Sequence, residues 1–209
     1  MRKKSSRRWL KEHFDDPYVK KAHHEGLRSR AVFKLMEIQT RDRLVKPGMT
    51  VIDLGASPGG WSQLLVKWVG KHGRVLALDI LPMEPIVGVE FILGDFNEET
   101  LVQELLQKIN HTAVDWVFSD IAPNLSGIDS VDQPRSIELA ELVLDFAISV
   151  IKAEGGMLIK VFQGEGFDAF LAKIKLHFKK VAIRKPKASR DRSREVYILA
   201  RNVRQLCRT

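Results

Sequence analysis

The run Thr50-Val51-Ile52-Asp53-Leu54-Gly55-Ala56-Ser57-Pro58-Gly59-Gly60-Trp61 constrains this chain more than any other stretch. A short apolar strand leads into a glycine-rich turn, and the turn opens a helix. Glycines in that place tolerate positive φ and let the backbone come close to a ligand, while the first N–H groups of the helix have no intrahelical acceptor. The pattern suits a nucleotide-like ligand. The glycines at 55, 59 and 60 do not make the G-x-G-x-x-G dinucleotide fingerprint, however, and no Gly-Lys-Ser/Thr closes a P-loop. A glycine turn between strand and helix is also common in α/β proteins at large, so the rest of the chain has to decide.

Apolar runs and helical periodicities alternate along the sequence. The apolar steps Leu27, Ala31, Leu35 and Ile38 predict an amphipathic helix to about Arg41, with Lys34 at the edge of its stripe. Strands are expected near 50–54, 74–79, 89–93, 114–119 and 156–162, with helices near 58–69, 98–109, 135–153 and 166–178. In the long helix Leu139, Leu142, Val143, Phe146, Ala147 and Val150 form the apolar face, and Gly155 and Gly156 are expected to end it. Such alternation implies an α/β fold, a parallel sheet covered by helices on both faces. Strands near 180–185 and 195–200, joined by Lys187 to Arg194, imply an antiparallel return, and hence seven strands with the last antiparallel. With no internal repeat or low-complexity linker, residues 27–209 read as one domain behind a basic arm, residues 1–26.

Charge divides along the chain. The net charge is +8, but residues 1–30 carry 10 Lys/Arg against 4 Asp/Glu and residues 179–209 carry 11 against 2, so the middle is acidic. Basic ends suggest a polyanion gripped by the termini, because Lys/Arg neutralisation of phosphate supplies much of such an affinity. Arg7, Arg8, Lys11, Lys20 and Lys21 interleave with Trp9, Phe14 and Tyr18, whose rings can stack on bases or pack the arm onto the body. Solvated tails would read the same way. Adjacent His23 and His24 read as surface histidines. No apolar run follows the basic start and no stretch reaches the roughly 18 residues of a membrane span. Cys207 is the sole cysteine, which fits a reducing cytoplasm and excludes an internal disulfide.

Ligands of open α/β sheets bind beyond the carboxyl ends of the parallel strands. Asp53, Asp79, Asp95 and Asp120 end or follow successive strands, and Lys160 interrupts the apolar run Met157 to Phe162. An antiparallel last strand would start at that same edge and bring Glu195 to it. Asp79 stands 24 residues past Gly55, close to the offset at which an acidic residue takes ribose hydroxyls. A lysine in a central strand is expensive unless paired, and Asp120 is its expected partner. Gly164-Glu165-Gly166 is expected to form a flexible loop on the substrate side. The absence of H-E-x-x-H, of G-x-S-x-G and of clustered Cys/His argues against metallohydrolase and serine-hydrolase chemistry, and no metal is expected.

These residues lie in motifs that closely resemble the FtsJ/RrmJ family of ribosomal RNA large-subunit methyltransferases. The motifs are Gly26-Leu27-Arg28-Ser29-Arg30-Ala31 through Lys34, Asp53 to Gln63, Asp79 with Leu81-Pro82-Met83, and Gly94-Asp95-Phe96. Ser119-Asp120 with Ala122-Pro123-Asn124, Lys160 to Gly166, and Ser193-Arg194-Glu195-Val196-Tyr197 complete the set. The resemblance implies a Rossmann-like S-adenosyl-L-methionine-dependent fold, and methylation of the 2′-hydroxyl of a uridine in the A-loop of 23S ribosomal RNA. It further implies a catalytic set of Lys34, Asp120, Lys160 and Glu195, and a cofactor held by Gly55, Gly59, Trp61, Asp79, Asp95 and Asp120. The large ribosomal subunit is the implied partner, with a monomeric enzyme. Ser57 stands where the family often has alanine, a change expected to be neutral. Transfer RNA as substrate, and a non-catalytic ribosome-assembly factor, remain the alternatives.

Overall fold

The computed structural model describes residues 16–110, 112–123, 126–190 and 192–204. Arg7, Arg8, Trp9, Lys11, Phe14, Asn124, Asp191 and Cys207 lie outside them. The elements, in order, are α1 (Pro17–His24), α2 (Val32–Asp42), β1 (Thr50–Leu54), α3 (Gly60–Val69), β2 (Arg74–Asp79), β3 (Val89–Leu93) and α4 (Glu99–Lys108). There follow β4 (Val114–Ser119), α5 (Asp129–Val150), β5 (Ile151–Phe162), α6 (Phe167–His177), β6 (Phe178–Arg184) and β7 (Glu195–Val203).

The seven strands form one sheet in the order β3-β2-β1-β4-β5-β7-β6. Pairings among β1 to β5 are parallel, whereas β7 runs antiparallel to both of its neighbours. The chain leaves β1 toward β2 and β3, then returns to place β4 on the other side of β1. That reversal opens a crevice at the carboxyl ends of β1 and β4, where open α/β sheets take their ligands.

Strand alternation builds two cores. Ile52, Leu54, Leu76, Val117, Ile159 and Ile198 face α4, α5 and α6. Val51, Val75, Phe118, Leu158, Tyr197 and Leu199 face α1, α2 and α3. Helix α1 belongs to the body, because Ala22 is buried and the Tyr18 ring lies 5.5 Å from that of Phe33. Of the two roles open to the arm's aromatics, Tyr18 takes the packing one. His23 and His24 are exposed.

Three expectations are corrected. The first helical stripe begins at Val32, and residues 27–31 form an irregular segment instead. Helix α5 starts at Asp129, accommodates Pro134 near its beginning, and stops at Val150, with Leu142 41% exposed rather than on the buried face. Gly155 and Gly156 therefore do not end a helix; they lie within β5. A Cβ on Gly155 would sit 2.5 Å from the Asp115 carbonyl oxygen, and one on Gly156 would sit 2.6 Å from the Trp116 ring. Their bareness allows β5 to pass a register shift between Val114 and Trp116.

Candidate active site

The glycine turn follows from local strain. Gly55 adopts φ +78°, and a Cβ there would stand 2.8 Å from the Ile121 backbone nitrogen, so only glycine lets the β1 and β4 ends come together. The Gly55 and Ala56 N–H groups both donate to the Leu78 carbonyl, at 2.8 and 3.1 Å. Asp79 fastens the other side: its two carboxylate oxygens accept from the N–H groups of Ser57 and Leu81, each at 2.8 Å. The Ser57 hydroxyl adds a bond to the Pro82 carbonyl at 3.2 Å that an alanine would lack.

Beside this turn opens a cavity of about 530 Å³, whose walls include Gly55, Asp79, Leu81, Asp95, Phe96 and Asp120. Its size lies within the ~300–1,000 Å³ range of small-molecule sites. The structure thus gathers Gly55, Asp79, Asp95 and Asp120 in one place. Gly59 and Trp61 are not among the lining residues. The Trp61 indole is buried, donates to the Ala31 carbonyl at 2.9 Å and packs 5.7 Å from the Tyr197 ring, so what this turn offers a ligand is backbone. A cofactor with a ribose fits the donor set, since Asp79 is held rigidly at the wall with acceptor capacity to spare.

Two ion pairs form at the same edge. Lys160 Nζ lies 3.1 Å from Asp120 Oδ1 and also donates to the Asp120 main-chain carbonyl. Lys34, only 9% exposed, reaches Glu195 Oε1 at 2.5 Å, so its stem is not snorkelling to water. The register explains the meeting: Lys160 pairs with Tyr197 and Phe162 with Glu195, which sets the start of β7 against the end of β5.

Each carboxylate is steadied by a hydroxyl that sequence reasoning did not assign. Tyr197 donates to Asp120 Oδ1 at 2.7 Å, and Ser189 donates to Glu195 Oε1 at 2.8 Å. Burial holds the Tyr197 phenol in its protonated form, with the Asp120 charge adding to the effect. The period of two that puts Glu195 and Tyr197 on one face of β7 was a usable signal for the tyrosine. Nothing local marked Ser189. Residues 164–166, expected to be flexible, are held by Gln133, whose amide donates to the carbonyls of Phe162 and Glu165 at 2.9 and 3.1 Å.

Asp53 is fully buried beneath the turn. Ser62 donates to its Oδ2 at 2.6 Å, while Oδ1 has no hydrogen-bond partner. Desolvation, reinforced by the Asp120 and Asp79 charges against the Ser62 bond, raises its pKa to about 7. Among the described residues, no group of three or more His, Cys, Asp or Glu side chains is arranged to hold a metal ion, and no helix is long and apolar enough to cross a membrane.

The model of the FtsJ-like methyltransferase family matches residues 27–203. The chain belongs to that family. A solved structure from Plasmodium falciparum, described as a ribosomal RNA methyltransferase, superposes with a TM-score of 0.76 at 26% identity, covering 84% of this chain and 98% of that one. One from Clostridium thermocellum, described as an rRNA methylase, gives a TM-score of 0.49 at 16% identity over 81% and 96% of the two chains, too loose to carry an argument. The Rossmann-like methyltransferase fold and the FtsJ-like family expected from the motifs are both found. In this FtsJ-like chain the motif residues Lys34, Asp120, Lys160 and Glu195 are the ones that form the two ion pairs.

Proposed function

We propose that this FtsJ-like methyltransferase methylates the 2′-hydroxyl of a uridine ribose in the A-loop of 23S ribosomal RNA, in the large subunit, using S-adenosyl-L-methionine. The observation that carries the reading is the meeting of Lys160–Asp120 and Lys34–Glu195 at the rim of a cavity walled by Asp79 and Asp95. The cofactor supplies an electrophilic methyl group on a sulfonium. Asp79 and Asp95 would hold its nucleoside, and Asp120 its amino-acid end, as the motif resemblance implies and their shared cavity supports.

The protein's own part is alignment and proton handling. Lys160, held by Asp120, directs its Nζ at the acceptor hydroxyl and relays the proton: it accepts one from the ribose oxygen as it passes one to Asp120 Oδ1 at 3.1 Å. Its charge is kept throughout, which also stabilises negative charge building on the attacking oxygen. Tyr197 keeps Asp120 in place. Lys34, fixed by Glu195, supplies a second cation for the ribose or its phosphate.

Ribosomal RNA is supported by the whole-length motif resemblance, by the basic chain ends and by the description of the Plasmodium structure. We further infer a monomer working in the cytoplasm, in keeping with the single cysteine. The test is incubation with methyl-labelled S-adenosyl-L-methionine and large subunits, naked ribosomal RNA or transfer RNA, followed by alkaline hydrolysis. Label in alkali-resistant dinucleotides from the large subunit is expected. Label in transfer RNA would change the substrate, and no transfer to any RNA would favour a non-catalytic assembly factor. Single-turnover transfer by Lys160→Arg tests the relay: a fall of about 100-fold or more is expected for a lost proton carrier. Near-normal turnover by the permanently charged guanidinium would sink that role.

A further inference from the structure

We infer that Arg28 is a positioning residue that holds the cofactor wall together; this rests on the reading that the cavity takes S-adenosyl-L-methionine. The guanidinium spans two loops. Its Nη1 donates to the Pro58 carbonyl at 3.1 Å and to the Glu84 carbonyl at 2.5 Å, and its Nη2 donates to the Pro85 carbonyl at 3.0 Å. Pro58 belongs to the glycine turn after β1, whereas Glu84 and Pro85 belong to the loop after β2. All three hydrogen bonds that this side chain makes among the described residues end on main-chain oxygens.

The loop needs such a tether. Residues 80–88 contain no helix or strand, and Ile80, Leu81 and Val87 are 55%, 58% and 98% exposed, so the loop's apolar packing falls to the half-buried Met83 and Ile86. Yet Ile80 and Leu81 wall the cavity. A planar fork of five donors can satisfy carbonyls from two directions at once, which an ammonium cannot reproduce. Space confirms the junction. Gly59 adopts φ +103°, and a Cβ there would lie 2.8 Å from Arg28 Nη1, 2.7 Å from Met83 Sδ and 2.9 Å from Ile86 Cδ1. Three segments meet over that one glycine.

The anchor itself is secured to α3. The Arg28 N–H donates to Gln63 Oε1 at 2.9 Å, Gln63 Nε2 reaches the Gly26 carbonyl at 3.4 Å, and Trp61 Nε1 holds the Ala31 carbonyl at 2.9 Å. Six residues on from Arg28 comes Lys34. The Arg28 side chain therefore sets the shape of the nucleoside wall, while the segment leading to Lys34 is pinned to α3 by Gln63 and Trp61 whatever that side chain is.

The test uses full-length Arg28→Ala and Arg28→Lys proteins with three readouts: calorimetric titration with S-adenosyl-L-homocysteine in the absence of RNA, amide hydrogen exchange of the ligand-free protein, and KM for the RNA substrate. For Arg28→Ala the dissociation constant is expected to rise about tenfold or more, the equivalent of one lost charged hydrogen bond. Arg28→Lys should recover only part of this. Exchange at Leu81, whose amide donates to the Asp79 carboxylate at the start of the loop, and at Val89, whose amide donates to the Ile86 carbonyl at its end, should quicken severalfold in the ligand-free variant. The KM for RNA should stay within about twofold, as binding of a remote group is left intact. Unchanged exchange together with unchanged homocysteine-analogue affinity would overturn the tether. So would a raised KM for RNA with unchanged cofactor affinity, which would make Arg28 a phosphate contact. If wild-type protein failed to bind the analogue, the cofactor reading would fall and the inferred effect on it with it, whereas exchange in the ligand-free protein would still decide whether Arg28 holds the loop.

Discussion

Removing the charge from Asp53 should stabilise this protein in a pH-dependent way. Asp53 is completely buried and only one of its oxygens is bonded, so water that would solvate the anion is replaced by Ser62 alone. Its pKa rises from an ordinary 3.8 to about 7 in consequence. A tenfold change in proton affinity is worth about 1.4 kcal/mol, so the ionised form costs the fold on the order of 4 kcal/mol. The sign follows from proton counting. Between pH 4 and 7 the folded chain holds a proton at Asp53 that the unfolded chain has lost, so stability falls as pH rises through that window and is level on either side.

The comparison is wild type against Asp53→Asn, a neutral isostere, by urea unfolding followed through tryptophan fluorescence from pH 4.5 to 8. Titrations not coupled to Asp53 cancel in the difference between the two proteins. That difference should move in favour of Asp53→Asn by about 1.4 kcal/mol for each pH unit up to about 7, then flatten. A difference that stays constant across the range would refute the desolvation argument. Asp120 and Asp79 are the charged groups facing Asp53, and pairing Asp53→Asn with Asp120→Asn would measure how much of the slope belongs to their repulsion.

Two further outcomes are expected. Gly55→Ala forces a side chain onto φ +78° and to within 2.8 Å of Ile121; it should cost about 1–3 kcal/mol in thermal or urea unfolding and weaken cofactor binding at least about tenfold in titration. Asp42→Asn removes one charge from the pair with Arg184, bonded at 2.7 and 2.6 Å, which ties α2 to β6. A loss of about 1–2 kcal/mol at pH 7 is expected. Arg184 holds the Asp42 carboxyl below its ordinary pKa, so this contribution is present above about pH 4 and fades as pH falls further, where wild type and variant should converge.

Lys34 shows where reading the sequence reached its limit. Helical periodicity placed it beside an apolar stripe, and either a solvated stem or a buried contact satisfied that position. Its partner Glu195 is 161 positions away in the chain, and only the antiparallel insertion of β7 beside β5 brings the two together. Gly155 and Gly156 were misread for a related reason. A glycine pair after a helical stretch is a stop signal locally, but here the same bareness serves a register shift against Asp115 and Trp116, which no local pattern records.

The sequence by itself determined the alternation of helices and strands, the glycine turn, the strand-end carboxylates and Lys160, because side-chain periodicity and backbone sterics act over a few residues. It also carried the family motifs. The tertiary structure alone decided that Tyr197 and Ser189 steady the two carboxylates, that Asp53 is stripped of water, and that Arg28 joins two loops. Those are consequences of register and close packing between distant segments. The identity of a buried polar group's neighbours depends on where the whole chain has gone, and its energetics depend on those neighbours.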